Sequence, residues 1–298
     1  MSRRAKPARG RNSTAAATVE RTKVRDIFVP RPFEGLVDEP QWIALRELVP
    51  AASAPLRLVK EIAEQYPDRP VVLSTILPMA LPAMVRPNGR VMIGLQRHQQ
   101  SGDVSRDLAA AVLAALGTAP GEQVALAPLP GPGPRLQDIL EPAPLEVTLH
   151  TGFDFWMDGE STDEPEVRAS LDRANASIYP SVALTAAPAA YWCRLPDRAH
   201  VRMVLPDGED AALNAMARVA AGPGMPLGEG TRFAGMFRAH GRLVPVWDVP
   251  TGPDAPTWEQ PLAGFVAAYT EALTQAQPLT VEERRCRNGL IGRQVPLR

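Results

Sequence analysis

A group of basic, aromatic and acidic residues in the last third of the chain has the residue types that bind an anion. Arg202 lies in the strand-like segment HVRMVL and Arg238 in RFAGMFRAH, and alternation along a strand directs both away from the apolar faces of these segments. If the strands are neighbours, the two arginines form one site for a carboxylate or phosphate. The simpler interpretation, that the tryptophans are core residues and the arginines are solvated, stays open. The candidate ligand-binding residues are Trp192, Arg202, Arg238, His240 and Asp248.

Nucleophilic, metal and phosphate-loop chemistry has less support. Cys193 lies in an apolar, strand-like run, where a small buried thiol is usual, and His200 could pair with it only across the intervening turn. The four histidines lack the spacing of a metal site. The sequence has no G-x-G-x-x-G between a strand and a helix and no G-x-S-x-G. We therefore expect no catalytic set, no metal and no cofactor, and we favour a protein that is not an enzyme.

The surrounding elements show an internal similarity. Residues 71–95 and 181–205 align without a gap, and six of the 25 positions are identical. Chance would give roughly two identities in a chain this rich in alanine and valine. Similarity at a fixed period indicates repeated structural units. We predict a degenerate duplication in which residues 71–117 and 181–222 form equivalent strand–strand–strand–helix units.

Turn and capping signals place the individual elements. Asn88-Gly89 predicts a hairpin with a type I′ turn, because both central residues of that turn need a positive φ. His240-Gly241 predicts a second hairpin. Ser101 or Asp103 is the predicted cap of a helix that Gly117 ends.

Length, composition and charge divide the chain. With 298 residues, 45% of them hydrophobic, it can bury one large core or two modest ones. Residues 1–25 hold eight Lys/Arg and one acid, which gives this segment a net charge of +7. Because the formal net charge of the whole chain is −1, the remaining residues carry −8. We predict a disordered basic tail over 1–25, a first half over 26–117, a Pro/Gly-rich crossover over 118–144, and a second half with C-terminal helices over 145–298. The fold class is α+β with mainly antiparallel sheet.

Cysteine usage and hydropathy predict the compartment. The two cysteines have no CxxC or Cys/His neighbour, which is typical of a reducing cytoplasm. No apolar run reaches 18 residues, and the N-terminus has no apolar region of a signal peptide. We expect a cytoplasmic protein without membrane attachment.

Several segments together carry a family resemblance. They include RPFEGL, YPDRPVVLSTILPMALPAMVRP, GFDFWMDG and FRAHGRLVPVWDVP, and the similarity covers nearly all of residues 28–298. The chain resembles an actinobacterial family of unknown function. Because that family has no established activity, the resemblance assigns no activity and no functional residue to this chain. Members of such a family often carry the automatic labels preprotein translocase SecA or topoisomerase. We reject both labels, because the chain has no Walker P-loop and no Cys-rich zinc tail.

The functional expectation is a non-enzymatic binding or adaptor protein. One alternative is a small-molecule enzyme or anionic-ligand binder with a pocket near Trp192, Arg202 and Arg238. A second alternative is an RNA- or ribosome-associated protein that acts through its basic tail, because phosphate contacts dominate nucleic-acid affinity. The expected partners are accordingly a protein, a small anionic ligand, or a nucleic acid held weakly by residues 1–25.

Overall fold

The structure is a computed structural model that describes residues 26–126, 129–157 and 164–292. The predicted disordered tail, residues 1–25, lies outside the described residues. Within them, the chain forms two five-stranded sheets, one after the other along the sequence, with helices packed around them.

The first sheet is mixed. Its strands are β1 (Ala52–Leu56), β2 (Val71–Ile76), β3 (Ala83–Val85), β4 (Val91–Gln96) and β5 (Thr148–Leu149), in the order β3-β4-β2-β1-β5. β2 and β4 are parallel neighbours, and the other pairs are antiparallel. The helices of this part are α1 (Glu39–Glu47), α2 (Lys60–Gln65), α3 (Val104–Leu116) and α4 (Leu136–Ile139).

Local signals set the ends of α3 and the turn before β4. Asp103 caps α3 by accepting a bond from the backbone N–H of Arg106, and the helix stops before Gly117, as predicted. The predicted hairpin between β3 and β4 is confirmed, but the prediction that its turn is of type I′ is wrong. Only Gly89 has a positive φ (87°), because Pro87 fixes its own φ near −65° and imposes an ordinary turn before that glycine.

The second sheet is antiparallel throughout. Its strands are β6 (Ser181–Leu184), β7 (Ala190–Arg194), β8 (Ala199–Met203), β9 (Arg232–Ala239) and β10 (Arg242–Val249), in the order β6-β7-β8-β10-β9. The predicted hairpin at His240-Gly241 joins β9 to β10, and both turn residues have positive φ (47° and 77°). The helices are α5 (Pro165–Asn175), α6 (Glu209–Ala221), α7 (Glu259–Thr274) and α8 (Val281–Gly292).

The two sheets share buried contacts. One core joins the first sheet, α1 and α3 to one face of the second sheet, where Tyr191, Phe237 and Val246 lie. A second core lies between the opposite face of that sheet and α6, α7 and α8. Polar contacts cross the same boundary, including an ion pair of 2.6 Å between Glu39 and Arg242. The second sheet is therefore buried on both faces over much of its length.

The α+β class with mainly antiparallel sheet is confirmed. Both segments of the predicted duplication also have the order strand, strand, strand, helix: β2-β3-β4-α3 and β6-β7-β8-α6. Their pairing differs, because β2 pairs in parallel with β4, whereas β6 pairs antiparallel with β7. The strand-by-strand superposition is therefore wrong, and the duplication itself stays a prediction.

The predicted division of the chain also stays a prediction. One element crosses it: β5 falls in the range assigned to the second half, yet it pairs with β1 in the first sheet. A two-residue strand has no alternation pattern that a sequence could show. Among the described residues, no helix is both long enough and apolar enough to cross a membrane.

A candidate binding cavity at the ends of two parallel strands

The two arginines singled out in the sequence do not converge. β10 lies between β8, which carries Arg202, and β9, which carries Arg238. The register of β9 shifts opposite Val246, where Gly235 has a φ of 144°. This bulge moves Phe237 into the first core although Phe233 packs in the second, so the alternation assumed for β9 fails. Arg202 and Arg238 therefore lie on opposite faces, and the predicted shared site is wrong.

Each arginine has a local partner instead. Arg238 forms an ion pair of 2.7 Å with Glu209 at the start of α6, on the side of the second core. Arg202 lies across from Tyr191 on the opposite face and donates a hydrogen bond to the sulfur of Cys193. Neither guanidinium faces the other, so no anion can bridge them.

The other three predicted residues also make contacts within the fold. Trp192 is buried in the second core. His240 Nε2 lies 2.9 Å from Glu47 Oε1. Asp248 Oδ1 lies 3.1 Å from His200 Nδ1. Nothing in these contacts tests a ligand-binding role, which stays a prediction for each residue.

A row of polar residues crosses the second sheet, one from each strand. The row pairs Cys193 with His200 and His200 with Asp248, and it ends at Ser181 and Arg232. Burial, followed by the charge of nearby Arg202, lowers the pKa of His200 from its usual value, so the imidazole is neutral near pH 7. Cys193 is only 2% exposed, which leaves little room for a substrate.

An open cavity of about 320 Å³ lies elsewhere, at the carboxyl ends of β2 and β4. Its walls are residues 79–82 after β2, residues 97–99 after β4, one side of α3, and residues 123, 124, 126 and 130. The carboxyl ends of parallel neighbours meet at one edge of a sheet, and ligands of open α/β sheets bind outside such ends. This position makes the cavity the best candidate for a binding site.

The turn that follows β2 holds an unusual backbone. Met79 and Ala80 have φ of 54° and 49°, a left-handed conformation that costs about 1–2 kcal/mol for each residue with a side chain. The side chain of Met79 is 79% exposed, so packing does not select this conformation. Gly94 of β4 allows the turn to approach, because a Cβ there would lie 2.4 Å from the carbonyl oxygen of Leu81. Two strained residues at one wall are typical of a binding or active site.

A buried ion pair forms the polar part of the cavity. Arg97 Nη2 lies 2.7 Å from Asp107 Oδ2, and the Asp107 side chain is fully buried. Ser101 donates its backbone N–H (2.6 Å) and its hydroxyl (2.7 Å) to the same carboxylate. These contacts hold the loop after β4 against the first turn of α3, and they fix the position of the Arg97 guanidinium.

A second buried arginine lies behind this pair. Arg46 of α1 donates to the carbonyl oxygen of Leu95 and to the side chain of Gln100. Burial, together with repulsion from Arg46, lowers the pKa of Arg97 to about 10. Arg97 is therefore still charged at neutral pH.

The lining permits binding more readily than catalysis. Arg97, His98, Gln99 and Gln123 supply polar groups, and no hydroxyl, thiol or amine side chain is among the described residues that line the cavity. Among the described residues, no group of three His, Cys, Asp or Glu side chains could hold a metal ion. Sequence reasoning missed this site, although a polar run, QRHQQSGD, directly after the buried strand VMIGL was a usable signal.

The fold and this lining define an α+β protein with a polar cavity beside a mixed sheet. Residues 32–298 match the model of a family described as "Family of unknown function (DUF5926)". The chain belongs to this family, which confirms the resemblance to a family of unknown function. No curated protein and no solved structure matches the chain.

Proposed function

We propose that this is a non-enzymatic binding protein whose ligand is a small molecule held in the cavity at the ends of β2 and β4. The observation that carries the proposal is the position of the cavity, outside the carboxyl ends of two parallel strands and lined by a fixed guanidinium. Its volume of about 320 Å³ lies at the lower end of the range for small-molecule sites.

The strained turn supports a role for this wall. Met79 and Ala80 keep a costly conformation although the Met79 side chain is exposed, and Gly94 allows the following residue, Leu81, to lie close to β4. Such strain persists where the geometry of a site requires it. A wall that served only stability would be expected to carry glycine at one of these two positions.

Other functions receive less support. The described lining residues supply polar groups but no hydroxyl, thiol or amine side chain, which favours binding over catalysis. A role as a protein adaptor remains the alternative form of the proposal, with a protein partner in place of the small ligand. The RNA-binding alternative depends on residues 1–25, which lie outside the described residues. The proposal places the protein in the cytoplasm, since Cys193 and Cys286 are both free.

Native mass spectrometry of protein purified without denaturation tests the proposal. The wild-type chain should retain a small molecule, and Ala110→Phe, which fills the cavity from α3, should abolish its retention. Ala114→Phe is the matched control, because Ala114 is also half-buried on α3 and does not line the cavity. A wild-type protein that carries nothing, or a molecule that Ala110→Phe retains, would overturn the proposal.

A further inference from the structure

Arg97 has hydrogen-bond donors that the fold does not use. A guanidinium carries five N–H groups. Asp107 contacts Nη2 at 2.7 Å, and the backbone oxygen of Asp107 accepts from Nη1 at 3.4 Å. No other hydrogen bond to this side chain is found among the described residues, and none of its nitrogens is among the buried atoms without a partner. Nε, which has no partner among the described residues, therefore keeps some exposure, and Arg97 is one of the residues that line the cavity.

Asp107 cannot take up these donors. Its carboxylate already receives the backbone N–H and the hydroxyl of Ser101, in addition to the contact with Arg97. A buried carboxylate with three such partners is close to saturated, and its negative charge is compensated. It therefore repels an approaching anion less than an unpaired aspartate would.

The electrostatic surroundings of Arg97 favour an added negative charge. Burial and the nearby guanidinium of Arg46 both lower the pKa of Arg97, because both disfavour the charged form. An anion in the cavity would oppose both effects. A charge-assisted hydrogen bond from Arg97 would be stronger there than in water, since the side chain is only 9% exposed.

We propose that the ligand in the cavity carries a carboxylate or phosphate group, and that the unused N–H groups of Arg97 bind it. This inference rests on the proposed function and adds the chemical class of the ligand. The forked guanidinium matches two oxygens of such a group at once, and His98, Gln99 and Gln123 offer further polar contacts around it.

Isothermal titration calorimetry with inorganic phosphate and with acetate, at constant ionic strength, tests the inference. At least one of the two anions should bind the wild-type chain. Arg97→Lys should weaken that binding by about tenfold, because lysine keeps the charge beside Asp107 but loses the forked donors. Arg285→Gln is the matched control: it removes an exposed arginine of α8 and should leave binding unchanged.

A second variant keeps the test decisive if Arg97→Lys fails to fold. Ala110→Phe fills the cavity while keeping both Arg97 and Asp107, and it should also abolish anion binding. Absence of phosphate and acetate binding, or binding that neither variant changes, would overturn the inference. A retained ligand without an acidic group would also overturn it, yet would leave the proposed function standing.

Discussion

Replacing Asp107 by asparagine should destabilise the protein far more than the same change at another helix start. Asp107 lies in the first turn of α3, is fully buried, and contacts Arg97 at 2.7 Å. Removing one partner of a buried ion pair costs about 3–5 kcal/mol, because the other charge is left buried and unpaired. Asparagine keeps an oxygen that can accept one bond from Ser101, so we expect about 3 kcal/mol, the lower end of that range.

Asp210→Asn is the matched control. Asp210 lies in the first turn of α6, is 91% exposed, and pairs with Arg287 at 2.9 Å. Exposed pairs of this kind contribute about 0.2–1 kcal/mol. Urea unfolding, followed by tryptophan fluorescence and circular dichroism, gives the change in the free energy of unfolding for both variants. A cost for Asp107→Asn no larger than that for Asp210→Asn would refute a tightly held ion pair at the cavity.

Three further predictions concern pH and backbone strain. The lowered pKa of His200 means that the unfolded chain binds a proton more readily, so stability should fall as the pH decreases below about 6.5, by at most about 1.4 kcal/mol per pH unit. Urea unfolding at several pH values should show a shallower fall for His200→Gln, and an equal fall would contradict this origin. Gly241→Ala should destabilise by about 1–2 kcal/mol, because φ is 77° and a Cβ would lie 2.1 Å from the Arg31 side chain. In thermal unfolding, Gly264→Ala in the open middle of α7 should stabilise instead, and a loss there would argue against this account. Met79→Gly should be more stable than Met79→Val by about 1–2 kcal/mol, since glycine accepts a φ of 54°, and the reverse order would exclude strain at this turn.

Local signals were readable from the sequence. The caps of α3, the hairpin at His240-Gly241 and the α+β class depend on residues close together in the chain. The hairpin turn after β3 shows the limit of such signals, because Asn88-Gly89 indicates one turn type and the preceding Pro87 imposes another.

The candidate site depends on features that no short segment contains. Its position follows from the parallel pairing of β2 with β4, whereas the similarity between residues 71–95 and 181–205 favoured two like-paired units. The bulge at Gly235 reversed the face of Arg238 and removed the site expected in the second sheet. Pairing and bulges are set by packing across the whole fold, so alternation alone could not predict them.

A crystal structure of the natively purified protein, soaked in inorganic phosphate, tests the central claim most directly. The claim predicts an oxyanion in the cavity at the ends of β2 and β4, either phosphate or a retained ligand, with its oxygens within about 3 Å of the Arg97 guanidinium nitrogens. An oxyanion bound only elsewhere on the chain, with the Arg97 donors facing water alone, would contradict the claim.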